Sequence, residues 1–472
     1  MSSTEVGRYY TEDSKRRIVT LDFLRGAAIW MMVFFHASTH MYDYTWVADQ
    51  FENIYSFPIP MLIFLLVLIA LGSMATFFIL ISAAVNSFSM SKRAAKGADL
   101  RIALYKQLFT GFGVLFIGWL TESFIGMHGY LGYAIRDGDW TNLYPAWRAL
   151  FVMKALSIIG WSIIFNSIIH FLLMRNGGYQ LYNRNLIIYC AIVVGIIVIS
   201  PFTHNWVDQM TWAVPDSIPI NSIDYFSGQW PDQYVQTHNA SFRTLFLVWL
   251  AGDQLPIFPC IGASFIGSII GMSLAKENPS KKITFWGSII GFVMLVIGGI
   301  LIAFGFPFLP TGRPSVASFL VQIGCQLIAV MLFFRFVEFR GKAEKFARNP
   351  VVKYFRLWSM VSLSVFCLQI YEMFGRWLLT LIVSPFRSID FLQHGTFTYY
   401  SLHWPMLAAL FIILTFDILL RLWSKINFVG SFEWVVIRFQ SIPTKEVSPR
   451  LDVDLMMNRK NWINFNNQEK EK

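Results

Sequence analysis

About ten apolar stretches, each near the roughly 20 residues needed to cross about 30 Å of hydrocarbon as a helix, run through the chain between polar breaks. Their limits are Ile18 to Ser38, Pro58 to Phe88, Ala103 to Phe124, Ala149 to Met174, Leu186 to Thr203, Pro256 to Ala275, Ile283 to Phe306, Val316 to Val337, Leu357 to Val383 and Leu402 to Trp423. Backbone inside lipid must satisfy its own hydrogen bonds, so each stretch is expected to be a helix. The fold class is therefore an all-α, polytopic integral membrane helix bundle of about ten helices. The second stretch is long enough for one tilted helix or for a helix and a broken piece around Gly72-Ser73, which would bring the count to about eleven. Composition agrees: 55% of the 472 residues are hydrophobic and 14% charged, against about 25% charged in an ordinary soluble domain.

The net charge of +10 raises the question of nucleic acid. The Lys and Arg residues, however, sit in short clusters between apolar runs rather than on one basic face, as topology determinants do. Lys15, Arg16 and Arg17 precede the first span; Lys92, Arg93, Lys96 and Arg101 follow the second; Arg175 and Arg184 follow the fourth. Lys276, Lys281 and Lys282 follow the sixth, and a group from Arg335 to Arg356 lies between the eighth and ninth. The alternate connections carry acids instead, such as Asp43, Asp49, Asp208 and Asp224. The expectation is a multi-pass protein of the plasma membrane with both termini in the cytosol.

The domain organisation read from this pattern is a cytosolic segment (1–17), a single transmembrane domain (18–425) with a long non-cytosolic loop at 204–243, an interfacial aromatic segment (426–442) and a polar, disordered cytosolic tail (443–472). The loop is rich in Trp, Tyr, Asp and Pro, as suits a packed lid or an acceptor-binding surface, and Asn239-Ala240-Ser241 in it is a common chance sequon. Cys190, Cys260, Cys325 and Cys367 lie in apolar stretches and read as small buried hydrophobes. No metal-ligand spacing and no phosphate loop is found in the sequence.

Ionisable side chains inside lipid cost at least about 2.5–3.5 kcal/mol and tend to be kept for pairing or function. The first span holds Asp22, Arg25 and His36. Asp22 and Arg25 are three residues apart and can pair on one helix face. His36 follows Arg25 by close to three full turns, on the same face and roughly 16 Å along the axis. His40 lies one turn further, at the outer edge, as an acceptor-side candidate. The bland alternatives are a packing ion pair for Asp22 and Arg25 and a hydrogen-bonded core histidine for His36.

The run Arg17-Ile18-Val19-Thr20-Leu21-Asp22-Phe23-Leu24-Arg25-Gly26-Ala27-Ala28, followed by Met31-Met32-Val33 and His36, resembles the first-helix signature of the transmembrane acyltransferase superfamily. That group comprises the heparan-α-glucosaminide N-acetyltransferases, the YeiB-like proteins and the related integral-membrane sugar O-acyltransferases. Leu255-Pro256-Ile257-Phe258-Pro259 leading into Gly262 and Gly267, Ser362-Leu363-Ser364 with Gln369, and Phe428-Val429-Gly430-Ser431-Phe432-Glu433-Trp434 with Arg438 are similar to later segments of the family, in the same order. The chain departs from the glucosaminide branch in having His36 where Asn is usual and Val47 at a histidine position. Ser431 replaces a Pro and Phe366 a Tyr.

The resemblance implies transfer of an acyl group, in the first instance acetyl, from cytosolic acyl-CoA to a hydroxyl or amine, such as that of a saccharide or glycoconjugate, reached from the other side of the membrane. A thioester is already activated, so such an enzyme chiefly needs a base and a stabiliser of the developing oxyanion. His36 is the base in this reading, Arg25 binds the donor or steadies His36, and Asp22 fixes Arg25. Acyl-CoA is the donor substrate, with Lys92, Arg93, Arg101 and Lys106 as further cations for its phosphates, although positive-inside bias also accounts for them. Gln322, Gln326, Gln369 and Glu372 are candidates for lining a tunnel, with interhelical hydrogen bonds as their commoner role. Glu122 with Lys154, Glu372 with Arg376, and Asp417 with Arg421 read as ion pairs. The expected partners are membrane lipids, acyl-CoA and a small acceptor, with a homodimer compatible. Two other classes stand beside the enzyme: a transporter or permease without transfer chemistry, and a catalytically silent membrane scaffold.

Overall fold

The computed structural model of the protein describes residues 17–41, 74–126, 129–141, 143, 146, 153–211, 246–252, 255–306, 313–392, 397, 403–441, 449–458 and 462–465. Among them nine helices are long and apolar enough to cross a membrane, and there is no β-strand. The long helices are α1 (Val19–Thr39), α2 (Met74–Ala95), α3 (Leu100–Leu120), α4 (Ala155–Met174), α5 (Tyr182–Thr211), α6 (Ile257–Leu274), α7 (Lys282–Ala303) and α8 (Val316–Phe336). After them come α9 (Pro350–Met360), α10 (Ser362–Val383), α11 (His403–Ser424) and α12 (Phe432–Ser441).

Nine of the ten expected spans correspond to these nine helices. The second stretch enters the described residues at Met74, in α2, and its first part, with the Gly72-Ser73 break, lies outside them. The ninth stretch is not one helix but two. α9 ends at Met360 and α10 starts at Ser362, with Val361 at φ −125° and ψ 38° between them. The break is satisfied by Glu433 of α12, whose carboxylate accepts from the Leu363 amide at 2.6 Å and the Ser364 hydroxyl at 2.6 Å. A carboxylate at freed amides is a favourable helix start. The long loop starts late: α5 continues through its first residues to Thr211, and residues 212–245, including the sequon, lie outside the described region.

Close backbone approach joins the bundle, as small residues allow between membrane helices. A Cβ on Gly267 or Gly271 of α6 would stand 2.2 Å from the Leu80 carbonyl or 2.3 Å from that of Ala84 on α2. α3 pairs with α4 and α7 with α8. α7 buries only Thr284, Gly291, Met294 and Gly298, and turns Phe285, Ile290 and Phe292 outward as a lipid-facing helix must.

α1 is held from several sides, by α9, α11, α2 and the start of α10. Its Ile18 cap residue offers no side-chain acceptor. Glu338, beyond the end of α8, takes that role: its carboxylate accepts from the Thr20 amide at 3.0 Å and the Thr20 hydroxyl at 2.7 Å.

The tail departs from the expected disorder. Pro449–Leu451 and Val453–Met457 are helical, and Leu451, Met456, Trp462 and Phe465 are buried. Ile463 donates its amide to the Arg17 carbonyl at 3.1 Å, and Phe465 donates to that of Glu338 at 3.2 Å. A few apolar residues in a polar segment suffice because each finds a prepared surface beside α1 and α9.

Candidate functional site

The two ends of α1 carry different equipment. At its start, Asp22 lies 3.3 Å from Arg17 and 3.4 Å from Arg25, so the expected pair is a triad. Arg25 also donates through Nε to the Ser359 hydroxyl of α9 at 2.8 Å. Arg356 and Arg450 complete the surroundings. These residues line one small, partly open cavity with Ser359, Met360, Met456 and Met457. Arg356 is held by carbonyls of Ala347 and Met456 and lies 4.4 Å from the ring centre of Trp462.

At the other end, the rings of His36 and His40 are 5.4 Å apart. His40 Nδ1 stands 3.4 Å from Glu372 of α10, and Glu372 is also bonded to Arg376 one turn on. Glu372 and Arg376 are buried almost completely. Gln369 of α10 reaches Met32 of α1 and also interacts with His36. Three polar atoms here are buried without a hydrogen-bond partner among the described residues: His36 Nδ1 and Arg376 Nε and Nη1. Leaving such groups unmade costs about 1–3 kcal/mol each, which marks the place as built for something more than packing.

Sequence-predicted residues thus divide. Asp22 and Arg25 meet at one end; His36, His40, Gln369 and Glu372 meet at the other. Gln322 and Gln326 belong elsewhere: both are on α8, and Gln326 donates to Thr76 of α2 at 2.9 Å. Lys92, Arg93, Arg101 and Lys106 do not line the cavity beside Arg25. Lys92 sits 5.9 Å from the Phe88 ring centre, Arg101 is exposed at the start of α3, and Lys106 and Arg93 are half-buried. The cations that do gather, Arg17, Arg356 and Arg450, read in sequence as topology markers or tail.

The three expected ion pairs all form. Lys154 is 2.5 Å from Glu122 and Arg421 is 2.6 Å from Asp417, beside the buried Glu372–Arg376 pair. A polar cluster that sequence reading missed lies between α2, α4 and α6, where Ser87, Asn166 and Ser268 join in hydrogen bonds of 2.6 and 2.8 Å. His170 is bonded nearby to Ser91 at 3.0 Å and Tyr189 at 2.7 Å. These are satisfied interhelical bonds, the ordinary use of polar side chains between membrane helices.

No family model matches the chain, and no curated protein or solved structure matches it either.

Proposed function

We propose that the protein is an acyl-CoA-dependent acyltransferase of the transmembrane acyltransferase kind, using acetyl-CoA as donor and a hydroxyl- or amine-bearing saccharide or similar small molecule as acceptor. The observation that carries this reading is the division of α1: guanidiniums around a cavity at one end, and a histidine pair backed by a buried carboxylate at the other. The positive charge of the first suits the phosphates of a donor. The second holds a base for an acceptor.

His36 takes the proton of the attacking hydroxyl or amine, through the Nδ1 that has no partner among the described residues. The new carbon–oxygen or carbon–nitrogen bond forms at the thioester carbonyl as the carbon–sulfur bond breaks, and the leaving thiolate receives the proton in exchange. Arg376, with Nε and Nη1 unpartnered among the described residues, can steady negative charge on the carbonyl oxygen. His40 and Glu372 position the ring of His36 from behind. Placed in a plasma membrane with both termini in the cytosol, α1 presents its arginines to the CoA side and its histidines to the acceptor side.

Purified protein in detergent, given labelled acetyl-CoA and a panel of amino sugars and sugar alcohols, is expected to transfer or slowly hydrolyse the acetyl group. His36→Ala should lose about 100-fold or more in rate while keeping its melting temperature. Transfer at the wild-type rate in His36→Ala removes the proposed base, and a chain that binds no acyl-CoA is not an acyltransferase.

A further inference from the structure

The C-terminal tail reaches back to the cavity at the start of α1 and puts a fourth guanidinium there. Arg450 Nε is buried and has no hydrogen-bond partner among the described residues. Among the described residues Asp22 is the one carboxylate that lines the cavity with these arginines, and Glu433 acts on Arg25 and Arg450 from further off. A cluster of like charges brought together by a folded tail is costly unless an anion joins it. The enclosed part of the cavity is no larger than a water, and Met456 and Met457 of the tail form part of its wall. The tail must lift for anything larger to enter.

We propose that residues 449–458 and 462–465 are a clamp on this cavity, and that Arg450, with Arg17, Arg25 and Arg356, binds a phosphate-bearing dianion that the clamp closes over. Arginine suits the task because its planar fork meets phosphate oxygens two at a time and stays charged. The tail is fastened at two points beyond Arg450. Val453 donates its amide to the Asn427 side chain at 3.1 Å, and the 462–465 segment bonds to the backbones of Arg17 and Glu338. Trp462 stacks beneath Arg356, so a cavity residue and the far end of the clamp move together. Resting on the acyltransferase reading, the dianion is a phosphate group of the CoA nucleotide. The clamp itself needs only the phosphate chemistry, which an anionic lipid headgroup shares.

The test uses the full chain in detergent with inorganic pyrophosphate and adenosine 3′,5′-bisphosphate as probes, read by calorimetry and by hydrogen exchange of the tail. Either probe should bind and slow exchange at residues 449–458 and 462–465 in the wild type. Arg450→Ala should weaken binding about tenfold or more, Arg450→Lys less, and Lys345→Ala, an exposed cation, not at all. Unchanged tail exchange on adding both probes to the wild type overturns the clamp without recourse to any variant, and so does wild-type affinity in Arg450→Ala. Stabilisation in phosphatidylglycerol nanodiscs that Arg450→Ala abolishes, with no response to pyrophosphate, assigns the anion to lipid and overturns the soluble ligand. Arg450-dependent pyrophosphate binding in a protein that never transfers acetyl groups removes the acyltransferase reading and leaves the clamp standing. Acetyl transfer with unaltered donor affinity in Arg450→Ala does the reverse.

Discussion

Glu372 stands between His40 at the end of α1 and Arg376 on its own helix, and is almost wholly buried with them. Removing its charge strands Arg376 and releases His40 together. Glu372→Gln is therefore expected to cost 3–5 kcal/mol of stability at most, of order that for breaking a buried pair, and to lower acetyl transfer at least about tenfold. Comparing melting temperature with transfer rate separates the two effects. Glu338 carries a second, pH-dependent expectation. Burial raises its carboxyl to about 7, against the pull of its bonds from Thr20. A carboxyl whose proton is held more tightly in the folded state favours folding while protonated. That contribution is complete below about 4.5 and is lost as pH rises through about 7, up to about 3 kcal/mol for a shift of this size. Melting temperature in detergent should fall between pH 5 and 8, and Glu338→Gln should flatten the decline.

At the scale of elements, α1 and α9 touch through backbone. A Cβ on Gly26 would stand 1.7 Å from the Phe355 carbonyl oxygen, whereas one on Gly299 of α7 meets nothing within 4 Å. Gly26→Ala should destabilise by about 1–3 kcal/mol or more, and Gly299→Ala should be neutral, as measured by thermal denaturation in matched detergent. The elements themselves were legible because membrane hydropathy is a long, strong signal, and nine spans fell where the apolar runs lay. The α9–α10 break was not, because Leu357 to Val383 is apolar on both sides and the acceptor that ends it, Glu433, is remote in sequence. The same limit applies to sites. Pairs three or four residues apart, such as Asp22 with Arg25 and Glu372 with Arg376, could be read from spacing. Arg356 and Arg450 could not, since nothing local to either indicates that they meet across the molecule beside α1.

On the whole molecule, α1 is the axis along which both halves of the proposed chemistry are arranged. α9, α11 and α2 enclose it, and the tail closes over its start. The orientation this requires can be mapped with single cysteines in a background lacking the native four. A cysteine introduced at Lys345 should react only with membrane-permeant thiol reagents in intact cells, and one at Asp390 should react with impermeant reagents as well. The reverse pattern would put the arginine cavity on the outside and remove its access to a cytosolic donor.

The acceptor that completes the start of α1 comes from Glu338, 318 positions further along the chain. At about 5–20 residues per second, translation reaches that residue on the order of tens of seconds after Thr20 is made. α1, the earliest of the described helices to be made, is thus the one finished late. Its free amides, and the Arg17–Asp22–Arg25 triad beside them, stay open to water and to the insertion machinery until α8 has been delivered. Assembly of this end of the molecule is therefore timed by the second half of the chain, and a truncated product that stops before α8 holds the histidines of α1 without a finished helix to present them.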